Sequence, residues 1–370
     1  MALQLEAVPP GALLLGAPEE ELPTFSIAPM PDNALGPSSR TREGEGELPM
    51  AAGASGLGVS DLQTRLARLG FWIGEDRLGH YGRGTVDAVR SFQRERGLRV
   101  DGNCGQETWS SLVEAGYRLG DRLLYRRSPM LHGDDVADLQ RRLSTLGFDP
   151  GRVDGIFGAQ TAIALSDFQH NIGIASDGIC GPQTLAELNR LAVRKGGESL
   201  VSSLRERLRV ASRRGSLQGR TIVVGEPGGF QTGAAALARS LSSLGAQPVT
   251  FHHPDASEQA EAANTASADC YIGLNLDPEL TGVRTFFYRG YRYESETSRH
   301  LAELVRDGIA KALDLPDQGS HGMALTVLRQ TRMPAVVVEL GPPAAIAVRM
   351  ATIAAAVSTA LSEWFAGDWS

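Results

Sequence analysis

Thr221-Ile222-Val223-Val224-Gly225-Glu226-Pro227-Gly228-Gly229 is the stretch on which the reading of this chain turns. A short β-branched run meets a Gly/Pro-rich turn, and Phe230-Gln231-Thr232-Gly233 then leads straight into a helical pattern. A buried run, a glycine stop and an amphipathic helix make the opening unit of an α/β sheet. Downstream, the pattern predicts a helix over 233–244, a strand over 247–251, a helix over 258–266 and strands over 270–275 and 285–288. A long helix over 296–313, a buried strand over 335–339 and a helix over 346–364 complete it. Strands alternating with amphipathic helices predict a central sheet flanked by helices.

Upstream lies a repeat. Asp61-Leu62-Gln63, Leu66, Leu69-Gly70-Phe71, Phe92-Gln93, Asp101-Gly102-Asn103-Cys104-Gly105 and Thr108-Trp109 return 76 to 77 residues later. Their counterparts are Asp138-Leu139-Gln140, Leu143, Leu146-Gly147-Phe148, Phe168-Gln169, Asp177-Gly178-Ile179-Cys180-Gly181 and Thr184-Leu185. So many matched positions mark a tandem module. Leu62, Leu66 and Leu69 form one helical stripe, Gly70 and Gly147 are helix stops, and the Asp-Gly pairs are tight turns. Each copy therefore reads as three short helices, with Phe92, Phe168, Leu66 and Leu143 in the core. The second copy has Asp154-Gly155-Ile156-Phe157-Gly158 where the first has Leu78-Gly79-His80-Tyr81-Gly82, so the first is the copy expected to have drifted.

Residues 1–56 carry eight acidic residues against Arg40 and Arg42 and no periodicity, the composition of a disordered acidic tail. Ser38, Ser39 and Thr41 are candidate targets of a Ser/Thr kinase. The 193–218 stretch is basic and carries a helical stripe of Val201, Leu204, Leu208 and Ala211, so a linker helix is expected. The first residues lack a basic leader region and no run is long enough to span a bilayer, so a cytoplasmic protein is expected. A net charge of −7 gives no reason to expect nucleic acid. Cys104, Cys180 and Cys270 are too scattered for a disulfide framework and read as small buried hydrophobes.

The repeat resembles the peptidoglycan-binding type 1 module, over 57–116 and 131–192. The domain from 219 to 370 resembles the amidase_3 family of zinc-dependent N-acetylmuramoyl-L-alanine amidases. Asn264, Ala268-Asp269, the strand at 283–288, Leu325-x-x-Leu328-Arg329 and Met333-Pro334-Ala335-Val336-Val337-Val338-Glu339-Leu340-Gly341 carry that likeness. It implies a His-Glu-His zinc site with a second Glu as general base, the metal acidifying a bound water for attack on the amide.

Transferred residue by residue, those roles find few carriers. The first metal His of the family's Asp-Pro-Gly-His-Gly-Gly turn falls on Gly228 or Gly229, the ligand Glu has no counterpart before the helix, and the second His falls on Asn275. Glu339 keeps the base position. Gly228, Gly229, Asn275 and Glu339 then outline a degenerate ligand-binding cleft for which zinc, the family's cofactor, has no ligand set. His252-His253 with Glu226, Asp277 and Glu339 along one sheet edge are the candidates for a rebuilt site. Gly225–Gly233 also reads as a loop that cradles phosphate on backbone N–H groups, but it lacks the Gly-Lys-Ser/Thr ending. Its helix N-terminus is a place for a carboxylate or phosphate of a wall precursor.

The layout looks like a cytoplasmic, amidase-like group in actinobacteria. That resemblance implies a pseudoenzyme that binds peptidoglycan fragments or a lipid-linked precursor, or a cytoplasmic precursor enzyme, and regulates wall synthesis. The alternatives are a working amidase with non-standard ligands and a scaffold that binds no glycan.

Overall fold

The computed structural model describes residues 48–192, 215–291 and 293–367, all within one compact unit, Ser39–Ser370. The predicted tail up to residue 47 and most of the predicted linker helix lie outside the described residues. Gly215–Gln218 belong to the C-terminal domain, where Leu217 is buried in the core and Gly215 N donates to Phe365 O.

Each module has three helices: α1 (Leu57–Arg68), α2 (Arg83–Arg96) and α3 (Gln106–Glu114), then α4 (Asp134–Thr145), α5 (Ala159–Asn171) and α6 (Pro182–Ala192). Both begin earlier than the helical periodicity indicates. Met50 is buried against module 1 and bridges to Cys104, and Leu124 bridges to Cys180 in module 2. A single bridged residue has no period, so composition alone assigned 48–56 to the tail and started the second module at 131. Phe71 and Phe92 meet edge to face at 5.5 Å, and Phe148 and Phe168 do the same at 5.6 Å.

The C-terminal domain runs β1 (Thr221–Glu226), α7 (Gln231–Ser243), β2 (Gln247–His252), α8 (Ala256–Thr265), β3 (Cys270–Leu276), β4 (Gly282–Gly290), β5 (Tyr293–Glu294) and α9 (Glu296–Leu313). It continues β6 (Asp317–Met323), α10 (Thr326–Gln330), β7 (Ala335–Gly341), α11 (Pro343–Ala347) and α12 (Met350–Ala366). The strand order is β2-β1-β3-β7-β4-β5, with β6 also on β4. β2, β1, β3 and β7 are parallel, while β4 is antiparallel to β7.

Two differences from expectation have local causes. The strand β6 was missed because Asp-Gln-Gly-Ser-His-Gly-Met pairs only with β4 and needs no apolar alternation. The expected closing helix over 346–364 is two helices, broken at Val348-Arg349.

Alternation along each strand sends side chains to opposite faces. On one face Ile222, Val224, Ile272, Val336 and Val338 pack under α7, α9 and α12 in the larger apolar core. On the other, Val223, Tyr271, Ala335, Val337 and Phe286 meet α8 and α10, with Val153 of module 2 in the same cluster. The modules thus lie on the sheet's second face.

Candidate functional site

The site of interest sits at the carboxyl ends of β1, β3 and β7, where parallel strands of an α/β sheet leave an open crevice. Glu339 follows Ala335 and Val337 onto the module-bearing face. It pairs in register with Asn275 of β3 and Arg284 of β4, so these three side chains stand in one row. Arg284 closes that row: Nε donates to Glu339 Oε2 at 2.7 Å, and Nη2 lies 2.6 Å from the same oxygen. Nη2 also donates to Asp277 Oδ2 at 2.7 Å. Arg99, from module 1, brings Nη2 to 3.4 Å from Glu339 Oε1. Glu339 is buried with a side-chain exposure of 6%, and both of its oxygens face guanidinium N–H groups. A carboxylate engaged in this way has its Oε2 held in a charge-assisted pair with Arg284, while Oε1 has only the longer contact to Arg99.

Glu226 ends β1 on the opposite face. Its Oε2 accepts from the N–H groups of Gly228 at 2.9 Å and Phe230 at 3.1 Å. Its Oε1 meets His252 Nδ1. Two amides of the loop before α7 are therefore taken by the chain's own carboxylate, while no side chain caps the helix itself. Gly225 must be glycine, because a Cβ there would overlap the Tyr271 hydroxyl and Gln259 Oε1, which bond to each other at 2.6 Å.

The structure separates the candidates for a rebuilt metal site. Glu226 and His252 touch on one face, and Glu339, Asp277 and Asn275 belong to the other, around Arg284. His253 is adjacent to His252 but its Nδ1 accepts from Asp255 N at 3.1 Å. Among the described residues, no group of three or more His, Cys, Asp and Glu side chains could hold a metal ion. Gly228 and Gly229 carry no donor, Asn275 offers only a neutral amide, and a guanidinium holds Glu339. This donor set does not fit the family's zinc.

The glutamines of the two modules are structural. Gln63, buried, donates to His80 O at 3.0 Å and Thr85 Oγ1 at 2.9 Å, and its Oε1 accepts from Gly79 N at 2.7 Å. Gln140 repeats the pattern with Asp154 Oδ1 at 2.9 Å, Ile156 O at 3.0 Å and Gly155 N at 2.9 Å. Module 1, lacking the counterpart of Asp154, uses Asp76, whose Oδ2 accepts from Thr85 N at 2.6 Å and Thr85 Oγ1 at 2.7 Å. Burial pushes the Cys104 thiol up to about 12 and the Cys180 thiol up to about 11. These thiols are protonated and inert at neutral pH.

Module 2 has a groove of about 250 Å³ between Phe148-Asp149 and the Gln160, Ile163 and Asp167 face of α5. At the repeat offset, module 1 has Trp72, 79% exposed, in place of Asp149 and Gly84 in place of Gln160. The copies therefore present different chemistry at equivalent places.

Sequence reasoning missed the junction that joins the three domains. Arg329 of α10 pairs with Glu114 of module 1 at 2.9 Å and donates through Nε to Asp154 O of module 2 at 2.9 Å. Burial works to raise the Glu114 carboxyl, but the His132 hydrogen bond and the Arg329 charge outweigh it and hold the group below the usual range. Arg152 donates to Thr331 O at 2.6 Å and stacks on Tyr288 at 4.6 Å. Ala324 N donates to Gly97 O at 2.7 Å, two residues from Arg99. The Leu325-x-x-Leu328-Arg329 motif was visible as a family segment, but its partners lie on other domains. No helix among the described residues is long and apolar enough to cross a membrane.

Comparison with known proteins agrees with this architecture. A putative peptidoglycan binding domain matches residues 55–112 and 132–188, and the N-acetylmuramoyl-L-alanine amidase family, Amidase_3, matches 230–343. The chain is 34% identical over 345 residues to N-acetylmuramoyl-L-alanine amidase CwlM of Mycobacterium tuberculosis, covering 82% of this chain and 84% of that one. A probable N-acetylmuramoyl-L-alanine amidase of Bacillus licheniformis is 34% identical over 169 residues, 41% of this chain and 47% of its own. The crystal structure of an N-acetylmuramoyl-L-alanine amidase from Clostridium difficile 630 superposes with a TM-score of 0.34 at 20% identity, over 39% of this chain and 95% of that chain.

Proposed function

Since the chain belongs to the N-acetylmuramoyl-L-alanine amidase family, in the form that carries tandem peptidoglycan-binding modules, we propose that it retains the family's wall-binding parts without the hydrolytic chemistry. On this reading it is a regulator of cell-wall synthesis on the cytoplasmic side. It binds peptidoglycan fragments or a lipid-linked precursor and hands that state on to a precursor enzyme.

The observation that carries the reading is the Arg284–Glu339–Arg99 arrangement. A general base takes a proton from the attacking water, whereas here the Arg284 guanidinium at 2.7 Å and Arg99 at 3.4 Å favour the carboxylate that stays unprotonated. A bound metal would need at least three donors in place of Gly228 or Gly229, the missing Glu and Asn275. Arg284 instead supplies the positive charge that a buried carboxylate requires.

The test is zinc per chain after incubation with excess metal and desalting, together with release of stem peptide from purified muropeptides. The proposal expects no retained zinc and no release. A second reading, an amidase with non-standard ligands, draws on the contact between Glu226 and His252. It expects about one zinc per chain, and loss of both the zinc and the hydrolysis in His252→Ala.

A further inference from the structure

We infer that the cleft between module 1 and α10 binds a neutral N-acetylated hexosamine unit, and that this ligand fastens the modules to the amidase-like domain. The inference rests on the reading that the chain binds wall glycan, and it places one such contact where three domains meet.

The cleft encloses about 280 Å³. That is at the small end of ligand pockets, which start near ~300 Å³, and suits a single ring better than an extended chain. One wall is α3, where Glu107, Ser111 and Glu114 follow one another at helical spacing with Ser110 beside them. The facing wall is α10, which presents Thr326 and Gln330 one turn apart. Leu98 and Ala324 supply a small apolar surface, as the C–H face of a sugar needs. Thr326 Oγ1 already reaches Glu107 Oε1 across the cleft at 3.2 Å, so one ring can touch both walls.

Charge narrows the ligand class. At the floor, Glu114 is paired with Arg329 at 2.9 Å, so those two charges offset one another, and His132 Nδ1 lies 3.6 Å from Glu114. Glu107 adds a carboxylate whose contact across the cleft is a hydroxyl rather than a cation. The site therefore disfavours phosphates and free carboxylates and offers acceptors to sugar hydroxyls and an acetamido N–H. Because Glu114 of α3 also carries the contact to Arg329, occupancy would hold module 1 docked, with Gly97 on Ala324 and Arg99 on Glu339. Glycan binding and closure of the degenerate cleft become one equilibrium.

The experiment uses the full chain with N,N′-diacetylchitobiose in calorimetry, amide hydrogen exchange, and sedimentation with insoluble peptidoglycan as a separate readout. Saturable one-site binding is expected, with slowed exchange in α3 and α10. Ser110→Trp, at an exposed position on the rim, and Gln330→Ala should each weaken it about tenfold or more, a loss of about 1.4 kcal/mol or more. Unchanged affinity in both variants would move the site elsewhere and overturn the inference. No disaccharide binding by a chain that still sediments with peptidoglycan would overturn it while leaving the proposed function standing. Loss of both would remove both. A diamino-acid stem tripeptide that binds in place of the disaccharide, and is blocked by Ser110→Trp, would overturn the ligand class.

Discussion

The two faces of one sheet are built on different physics. Under α7, α9 and α12 the contacts are mainly apolar, from Ile222 and Val338 to Leu301, Val357 and Trp364, with a few neutral hydrogen bonds such as Ser358 Oγ to Ser240 Oγ at 2.8 Å. On the other face the apolar layer thins, and arginines take over: Arg152 into backbone carbonyls, Arg329 on Glu114, Arg284 and Arg99 on Glu339. The first face holds the domain together. The second joins domains through charge-assisted contacts that a ligand, salt or acid can shift. Glu339 stands on this second face, where Arg99 of module 1 reaches it.

The largest test of this contrast is on the apolar side. Trp364→Ala removes a fully buried ring whose Nε1 donates to Thr297 O at 3.2 Å, and should cost about 3–5 kcal/mol of global stability in denaturant unfolding. Arg329→Ala should cost about 3 kcal/mol by leaving Glu114 without its guanidinium. That loss should appear as faster hydrogen exchange along α3 and α10 while the larger core stays protected. Equal loss of protection in both places would break the distinction between the faces.

Arg284→Ala comes next, at about 1–3 kcal/mol, because it strips Glu339 and Asp277 of their shared donor. Glu339→Gln in the same background should recover part of that cost, since the charge that needed Arg284 is gone. A variant pair that simply adds would sever the proposed link between them.

The smallest effect is on pH. Glu114 has a folded-state pKa below its ordinary value, so its stabilising share is fully present above about pH 4.3 and is lost as pH falls through the lower folded value. Glu114→Gln should flatten that acid limb in urea titrations of domain docking. An unchanged limb would assign it to other carboxylates.

Much of the frame was legible before the structure. The β-branched run at Thr221, the buried strand at Ala335 and the long helix from Glu296 announced themselves because burial on a sheet or helix face imposes a period on local sequence. The repeat was legible for the same reason, with Gln63 and Gln140 marking turns that their amides hold. The short bridges at Met50 and Leu124 and the polar strand β6 were not, because one paired residue or one-sided pairing leaves no pattern. Among the site residues, Glu339, Asn275, Gly228 and Gly229 came from a motif. Arg99, Arg284 and Arg329 carried no such signal, since an arginine's partner is set by where other elements bring their carboxylates and carbonyls.

From its sequence alone this chain declares a tandem helical repeat, an α/β domain, and a family motif with Glu339 at its end, since each is written in residue type and short-range spacing. Tertiary structure alone decided that Glu226 and Glu339 point to opposite faces. It alone brought Arg99 across 240 positions of chain to Glu339 and gathered three domains around Arg329. Charge pairing acts through space, and only the folded chain determines which charges are neighbours.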